Sequence, residues 1–363
     1  MADKIENNEL QSKVIDFLRF PLIVGVVFIH THSSKTLRGV EISQSSDLPV
    51  FYYCSQFFSE VIGRIAVPLF FFISGYLFFL NIKQMTGQIY KNKLLSRIKT
   101  LLIPYLFWNL SAIFFFFLMR KIGFFASLQQ SIDFQYFTDC FFGKIDKQGI
   151  AFFPISYQFW FIRDLMIAVL LTPLVYWLVK NAKLFIIAIL GICWFLNFWF
   201  KPEPIGVACL FFFTTGAYFG IHKLNLLDVF GKIKHLSFIL FPIFALTDLL
   251  TEKFTYYPYI HNAEIITGIV FFFNLVAFLF EKSKIKQMPF LSSASFFVFA
   301  IHEPFLLMNI KHITYSIFKP ENDLLIASLY LLNVIIVVSS ALCIYWVLQK
   351  FVPKFTTIIT GGR

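Results

Sequence analysis

The chain has 363 residues, of which 58% are hydrophobic and 14% charged, and its mean hydropathy is +0.74. A soluble domain carries about 45–50% apolar and about 25% charged residues, so a water-soluble globule is excluded, together with disordered, collagen-like and disulfide-scaffold chains. The net charge of +11 sits on basic residues between apolar segments, which reads as membrane topology and not as nucleic-acid binding.

In chain order, Met1 to Lys13 is polar and mixed in charge, and no small-residue cleavage site follows the first apolar stretch. That stretch is expected to stay in the membrane as an anchor. A spanning helix needs about 20 mostly apolar residues, and about ten segments qualify: 14–32, 61–80, 100–119, 157–178, 184–200, 204–221, 236–252, 262–280, 291–310 and 323–348. The fold class is therefore an all-α polytopic membrane protein, with 1–348 as a single transmembrane domain and 349–363 as a short cytoplasmic tail. Pro21, Pro68, Pro104, Pro173, Pro242 and Pro304 fall inside these spans, as membrane helices tolerate. With the N-terminus inside, the cytoplasmic segments hold most of the Lys and Arg, led by Lys83, Lys91, Lys93, Arg97 and Lys99 before the third span. Both termini are then cytoplasmic. The longest connection, 120–156, is external and holds Asp133, Asp139 and Asp146 among aromatics; it reads as either a lid or an ordinary surface loop.

Phe alone supplies 52 residues, and its runs carry no chemistry of their own. The cysteines, Cys54, Cys140, Cys193, Cys209 and Cys343, form no CxxC and no Cys/His cluster, so no metal or redox centre is expected. Cys54 and Cys140 both fall in expected external loops, which leaves a disulfide between them open.

A charge at the centre of a span costs about 3 kcal/mol, which makes each ionisable residue there a functional candidate. Arg19 and His30 share the first span, and eleven helical steps return to within about 20° of the same face after a rise of about 16 Å. One face thus presents a fixed cation near the cytoplasm and an imidazole near the outer side, suited to act as a general base. The plainer alternative is a snorkelling Arg19 and a capping His30. Other polar groups gather toward the outer ends of the spans: Arg64, then Trp160, Arg163 and Asp164, then Asp248, Glu252 and Glu264, and finally His302 with Glu303. Together they read as an outward-opening vestibule that binds substrate. On the inner side, Lys91, Lys93, Arg97 and Lys99 serve either topology or the phosphates of a donor. No GxxxxGK[ST], GxGxxG, GxSxG or HExxH pattern is present.

Arg-x10-His in the first span, VPLFFFISGYLFF at 67–79, the basic run ahead of LLIPYLFWN, WFIRDLM at 160–166 and SSASFFVFAIHEPF at 292–305 together resemble the integral membrane acyltransferase-3 family, over about 14–348. The resemblance implies transfer of an acyl group, often acetyl, from cytoplasmic acyl-CoA to a hydroxyl of an envelope polysaccharide or lipid-linked glycan, in the cytoplasmic (inner) membrane. Acyl-CoA is then a donor substrate, with no bound cofactor; the other partners are the glycan acceptor and the bilayer. Carried over by position, Arg19 and His30 match the family's pair, Lys93 and Arg97 its basic signature, Ser74–Tyr76 its SGF/SGY turn, and His302 a ninth-span histidine. The expectations are catalytic roles for His30, Arg19 and Glu303, with Glu303 orienting the base. Lys93, Arg97 and Lys99 are expected to bind the donor, and Arg64, Trp160, Arg163, Asp164 and His302 the acceptor. The family's appended hydrolase-like domain is not expected to be needed. The rival reading is a transporter or flippase for lipid-linked glycans, which inverted repeats would favour.

Overall fold

Apolar residues dominate every turn of most segments, so backbone groups close their hydrogen bonds within helices, as lipid demands. The computed structural model describes residues 2–32, 36–37, 40–41, 48–121, 134–143, 154–200, 205–251 and 256–362. The first helix, α1 (Ala2–His32), runs unbroken through Pro21. A two-residue antiparallel pair, β1 (Thr36–Leu37) and β2 (Val40–Glu41), follows it. Next come α2 (Pro49–Ser55), a π-turn and a 3₁₀-turn over Gln56–Ile65, and α3 (Ala66–Phe79). α4 (Gly87–Arg97) continues through a second π-turn, Ile98–Leu102, into α5 (Ile103–Lys121). Then come α6 (Phe134–Phe142), a 3₁₀-turn at Tyr157–Phe159, α7 (Trp160–Leu170), α8 (Thr172–Ala182), α9 (Leu184–Phe195), α10 (Val207–Ile221) and α11 (Leu226–Gly231). The remainder is α12 (Lys234–Thr251), α13 (Tyr257–Glu281), α14 (Pro289–Ile301), a third π-turn at His302–Leu306, α15 (Leu307–Phe318), α16 (Asp323–Phe351) and α17 (Pro353–Thr360).

Among the described residues, seven helical segments are long and apolar enough to cross a membrane. They coincide with the expected spans at 14–32, 61–80, 100–119, 236–252, 262–280, 291–310 and 323–348. The span at 157–178 is the bent pair α7 and α8, which meet at 64° with Pro173 at the start of α8. The expected fifth and sixth spans are shorter than the sequence promised. α9 stops at Phe195 because Asn197 takes a left-handed conformation, φ 52°, and α10 begins only at Val207. At 1.5 Å per residue these helices reach about 18 and about 22 Å, short of a hydrocarbon core of about 30 Å. On α12, Leu236, Ile239, Ile243, Leu246 and Leu250 are all exposed at spacings of three and four residues, a stripe that belongs against lipid. The result is an all-α, multi-pass membrane protein.

Helix association in a bilayer depends on close packing at small residues, and α3 with α10 shows this most clearly. A Cβ on Gly75 would overlap the Phe213 carbonyl oxygen, and one on Gly216 would overlap that of Phe72 and lie 2.8 Å from the Tyr76 nitrogen. Gly216 and Gly220 form a small-xxx-small edge along which Phe72 to Tyr76 lies backbone to backbone. Ser74–Tyr76, expected as a turn, therefore lies inside α3: Gly75 serves this contact, and the Tyr76 hydroxyl accepts from Gln11 Nε2 of α1 at 2.8 Å. The many phenylalanines fill the rest of the core as edge-to-face and tilted pairs, such as Phe72–Phe219 at 5.5 Å and Phe230–Phe273 at 5.4 Å. No disulfide joins any of the five cysteines, which removes the Cys54–Cys140 bridge: Cys54 lies in α2 and Cys140 in α6.

Gly216→Val should lower the thermal unfolding temperature of the purified protein in detergent, at a cost of about 3 kcal/mol for forced overpacking. Gly231→Ala, where a Cβ would meet open space, is the control that should leave it within error. Equal unfolding temperatures for Gly216→Val and wild type would contradict the α3–α10 contact.

Candidate active site

The continuity of α1 decides where Arg19 and His30 lie. Arg19 and His30 share one unbroken helix, which packs against α3, α13, α14, α16 and the turns at 56–65. Gly25 and Gly63 make the last of these contacts close: a Cβ on Gly25 would stand 3.3 Å from the Gly63 Cα, and one on Gly63 would stand 2.9 Å from the Gly25 oxygen. That crossing brings Arg64 within electrostatic reach of His30. Arg64 is itself held by a two-pronged ion pair to Glu60, Nε–Oε2 2.7 Å and Nη2–Oε1 3.2 Å.

Around His30 the structure assembles a group of rings. Its imidazole lies edge-on to Tyr157, with centroids 4.7 Å apart, and tilted against His302, at 5.2 Å. His302 is fully buried, and its Nδ1 lies 2.6 Å from the Phe299 carbonyl oxygen. A carbonyl can only accept, so Nδ1 carries the hydrogen and Nε2 keeps its lone pair. Among the described residues that Nε2 has no hydrogen-bond partner, which leaves a buried acceptor beside His30.

His302 is presented by a break in its helix. Glu303 is extended at φ −131°, ψ 141°, so backbone carbonyls lose their helical partners where lipid supplies none. Gln158, itself buried, donates from Nε2 to the carbonyls of Ala300, at 3.3 Å, and of Glu303. From α15, Lys311 donates Nζ to the Thr31 carbonyl at 2.9 Å, gripping the turn of α1 that holds His30, and it lies within electrostatic reach of Glu303. Residue-by-residue reading missed Tyr157, Gln158 and Lys311. Lys311 carried a signal, as a cation within a segment that proves helical, whereas the other two gain meaning only from contacts between distant helices.

Below this group lies a cavity of about 740 Å³. Its polar end is lined by Asp16, Arg19, Arg97, Thr100, Gly361 and Gly362, and its apolar end by Val26, Val67, Phe70, Ile162 and Phe299. The lining thus stops one helical turn short of both His30 and His302. Arg19 pairs with Asp16 at 3.3 Å and stays partly exposed.

Other expected site residues lie elsewhere. Lys93 lies outside the lining: it donates to the Phe78 carbonyl at 3.1 Å and caps α3. Lys93 and Arg97 both lie over the Phe78 ring, at 5.2 and 5.9 Å. Lys99 is exposed and absent from the lining, because it falls on the outer face of the π-turn. Arg163 and Asp164 pair with each other at 3.0 Å; Arg163 also donates to the Phe142 carbonyl and Asp164 accepts from the Gly206 amide. These contacts tie α7 to α6 and α10 and do not reach the histidines. Trp160 lies 6.4 Å from Phe71, centroid to centroid. Asp248 meets His261 at 3.3 Å, and Glu264 is buried with neither carboxylate oxygen hydrogen-bonded among the described residues. Glu252, Asp133 and Asp146 lie outside the described residues, as does most of the 120–156 loop.

Within a helical bundle, then, a cavity with cations at one end stops one helical turn short of a pair of adjacent imidazoles. By comparison with known families, the chain belongs to the family Acyl_transf_3, described as "Acyltransferase domain", which matches residues 13–350. It is also similar to the succinoglycan biosynthesis protein ExoH of Rhizobium meliloti (strain 1021), with 27% identity over 223 residues. That alignment covers 58% of this chain and 55% of ExoH, so it spans about half of the relative's length. No solved structure matches the chain.

Gln158→Leu should destabilise the protein by about 1–3 kcal/mol, the cost of leaving buried carbonyls without a donor. Thermal unfolding in detergent measures this, and an unchanged transition would show that the break at Glu303 does not depend on Gln158.

Proposed function

We propose that the protein is a membrane O-acyltransferase that moves an acyl group, acetyl in our reading, from cytoplasmic acyl-CoA to a hydroxyl of an envelope polysaccharide or lipid-linked glycan. The observation that carries this reading is the cavity running beside α1 from Arg19 and Arg97 to within one turn of His30 and His302. Fixed guanidinium groups suit the phosphates of coenzyme A, and the apolar upper lining suits its pantetheine arm and short acyl group. With the Lys- and Arg-rich side placed in the cytoplasm, the donor enters from below and the acceptor from the outer side. The family supports acyl transfer, and the name of the relative, a succinoglycan biosynthesis protein, supports a glycan acceptor.

In this mechanism His30 takes the proton from the acceptor hydroxyl as its oxygen attacks the thioester carbonyl. A C–O bond forms, the C–S bond breaks, and the proton passes from the imidazole to the departing sulfur, giving an ester and free coenzyme A thiol. Arg64 supplies positive charge near the developing oxyanion. His302, held by the Phe299 carbonyl, presents its lone pair to His30 or to the acceptor hydroxyl. Glu303 was expected to orient His30; the ring beside His30 is that of His302, so we assign orientation to His302 and give the Glu303–Lys311 pair the task of fixing the end of α1. Arg19 is assigned to the donor phosphates and not to the chemical step.

Protein in lipid nanodiscs with radiolabelled acetyl-CoA should release thiol and transfer label to an added glycan acceptor. His30→Ala should lower kcat about 100-fold or more while donor binding persists, and Arg97→Ala should raise the donor KM. Full activity in His30→Ala would overturn the assignment. Failure of the wild type to bind or turn over acyl-CoA would favour the transporter or flippase.

A further inference from the structure

Residues 349–363, expected as a short tail, include a helix folded back into the bundle. On α17, Ile359 and Thr360 are 2% and 1% exposed, Trp108 Nε1 donates to the Ile359 carbonyl at 3.0 Å, and Phe355 packs on Phe107 at 5.6 Å between centroids. The helix ends in a glycine turn, with Gly361 at φ +71° and Gly362 at φ +73°. The Gly362 amide donates to the Thr357 carbonyl at 2.8 Å and the Gly361 amide to that of Ile358 at 3.3 Å, which closes the helix end on itself.

The two glycines differ in what they face. A Cβ on Gly361 would overlap the Thr100 carbonyl oxygen and stand 2.9 Å from the Thr100 Cα, whereas one on Gly362 would find only the Thr357 methyl at 3.9 Å. Thr100 lies in the π-turn that follows Arg97 directly, and Arg19, Arg97, Thr100, Gly361 and Gly362 all line the polar end of the cavity. Backbone of the 353–362 segment therefore rests on the backbone of the segment that presents Arg97.

We propose that this turn is a fixed lip of the cytoplasmic mouth of the cavity, and that Gly361 is a positioning residue for donor binding. Because Gly361 has no side chain, α17 seats directly against Thr100, which holds Arg97 toward Arg19 and sets the width through which a phosphate-bearing donor passes. Any side chain at 361 must push Thr100, and Arg97 with it, or lift the turn into the mouth. The inference rests on the donor reading given above.

The test uses the full-length protein in nanodiscs, with coenzyme A and acetyl-CoA as probes. Gly361→Ala and Gly361→Val should raise the donor KM and the coenzyme A Kd about tenfold or more, with kcat at saturating donor within about twofold; His30→Ala should show the reverse split. Gly362→Ala carries similar backbone strain without the collision and should raise the donor KM less than Gly361→Ala. A general loss of stability would move both glycine variants alike and would lower kcat. Should the Gly361 variants fail to fold, Gly362→Cys provides an independent route. A maleimide should label position 362, resolved from the native thiols by peptide mass spectrometry, and saturating coenzyme A should block that labelling. Folded Gly361 variants that bind coenzyme A like wild type, or labelling at 362 that coenzyme A leaves unchanged, would overturn this inference alone. Wild-type protein that does not bind coenzyme A would overturn the donor reading beneath it.

Discussion

A charged group in hydrocarbon must be sheltered by protein, and α1 carries Arg19 and His30 about 16 Å apart along one helix. Everything around this helix shelters that face. The turns at 56–65 lie against it through Gly25 and Gly63, α14 and its broken end flank it, and Lys311 holds its last turn. At the polar end of the cavity Arg19 pairs with Asp16, with Thr100 and the backbone at 361–362 in the same lining, while higher on the helix Val26 lines its apolar end. The passage is thus polar at one end and apolar at the other.

Two kinds of backbone irregularity make this arrangement possible, and both follow from residues with special freedom or special partners. Glycines at 75, 216 and 220 let α3 and α10 touch backbone to backbone, giving a rigid wall without any hydrophobic driving force between helices. The helix break at Glu303 turns His302 inward and exposes carbonyls, and Gln158, far away in sequence, supplies the missing donor. A side chain at such a break is held by the surrounding fold and not by its own helix, so its position is set without relying on a regular ladder.

Much of this was legible in the residues alone. Long apolar runs marked the spans because lipid exposure leaves few other options, and the Arg-x10-His spacing placed both groups on one helix face by geometry. The fifth and sixth spans were overestimated, since hydropathy does not register the left-handed Asn197 that ends α9. The family resemblance implied a turn at Ser74–Tyr76, but in a membrane helix glycine equally marks a close crossing. Arg163 and Asp164 looked like a substrate site, yet an Arg beside an Asp can satisfy itself, and these two do. Lys99 could not be told from Lys93 and Arg97, because a π-turn rotates the face that a regular helix would present. The adjacency of His302 and His30, the capping by Gln158 and the inward fold of α17 depend on which helices touch, and no periodicity within one segment reports that.

The central claim is that one cavity runs from the cationic end of α1 to within a helical turn of its imidazole and holds the donor. A cryo-EM structure with coenzyme A bound tests it most directly. The account predicts phosphate density beside Arg19 and Arg97, the glycine turn at 361–362 along the edge of the nucleotide, and the thiol within one helical turn of His30 and His302. Coenzyme A bound outside this cavity, or inside it with the thiol directed away from both histidines, would contradict it.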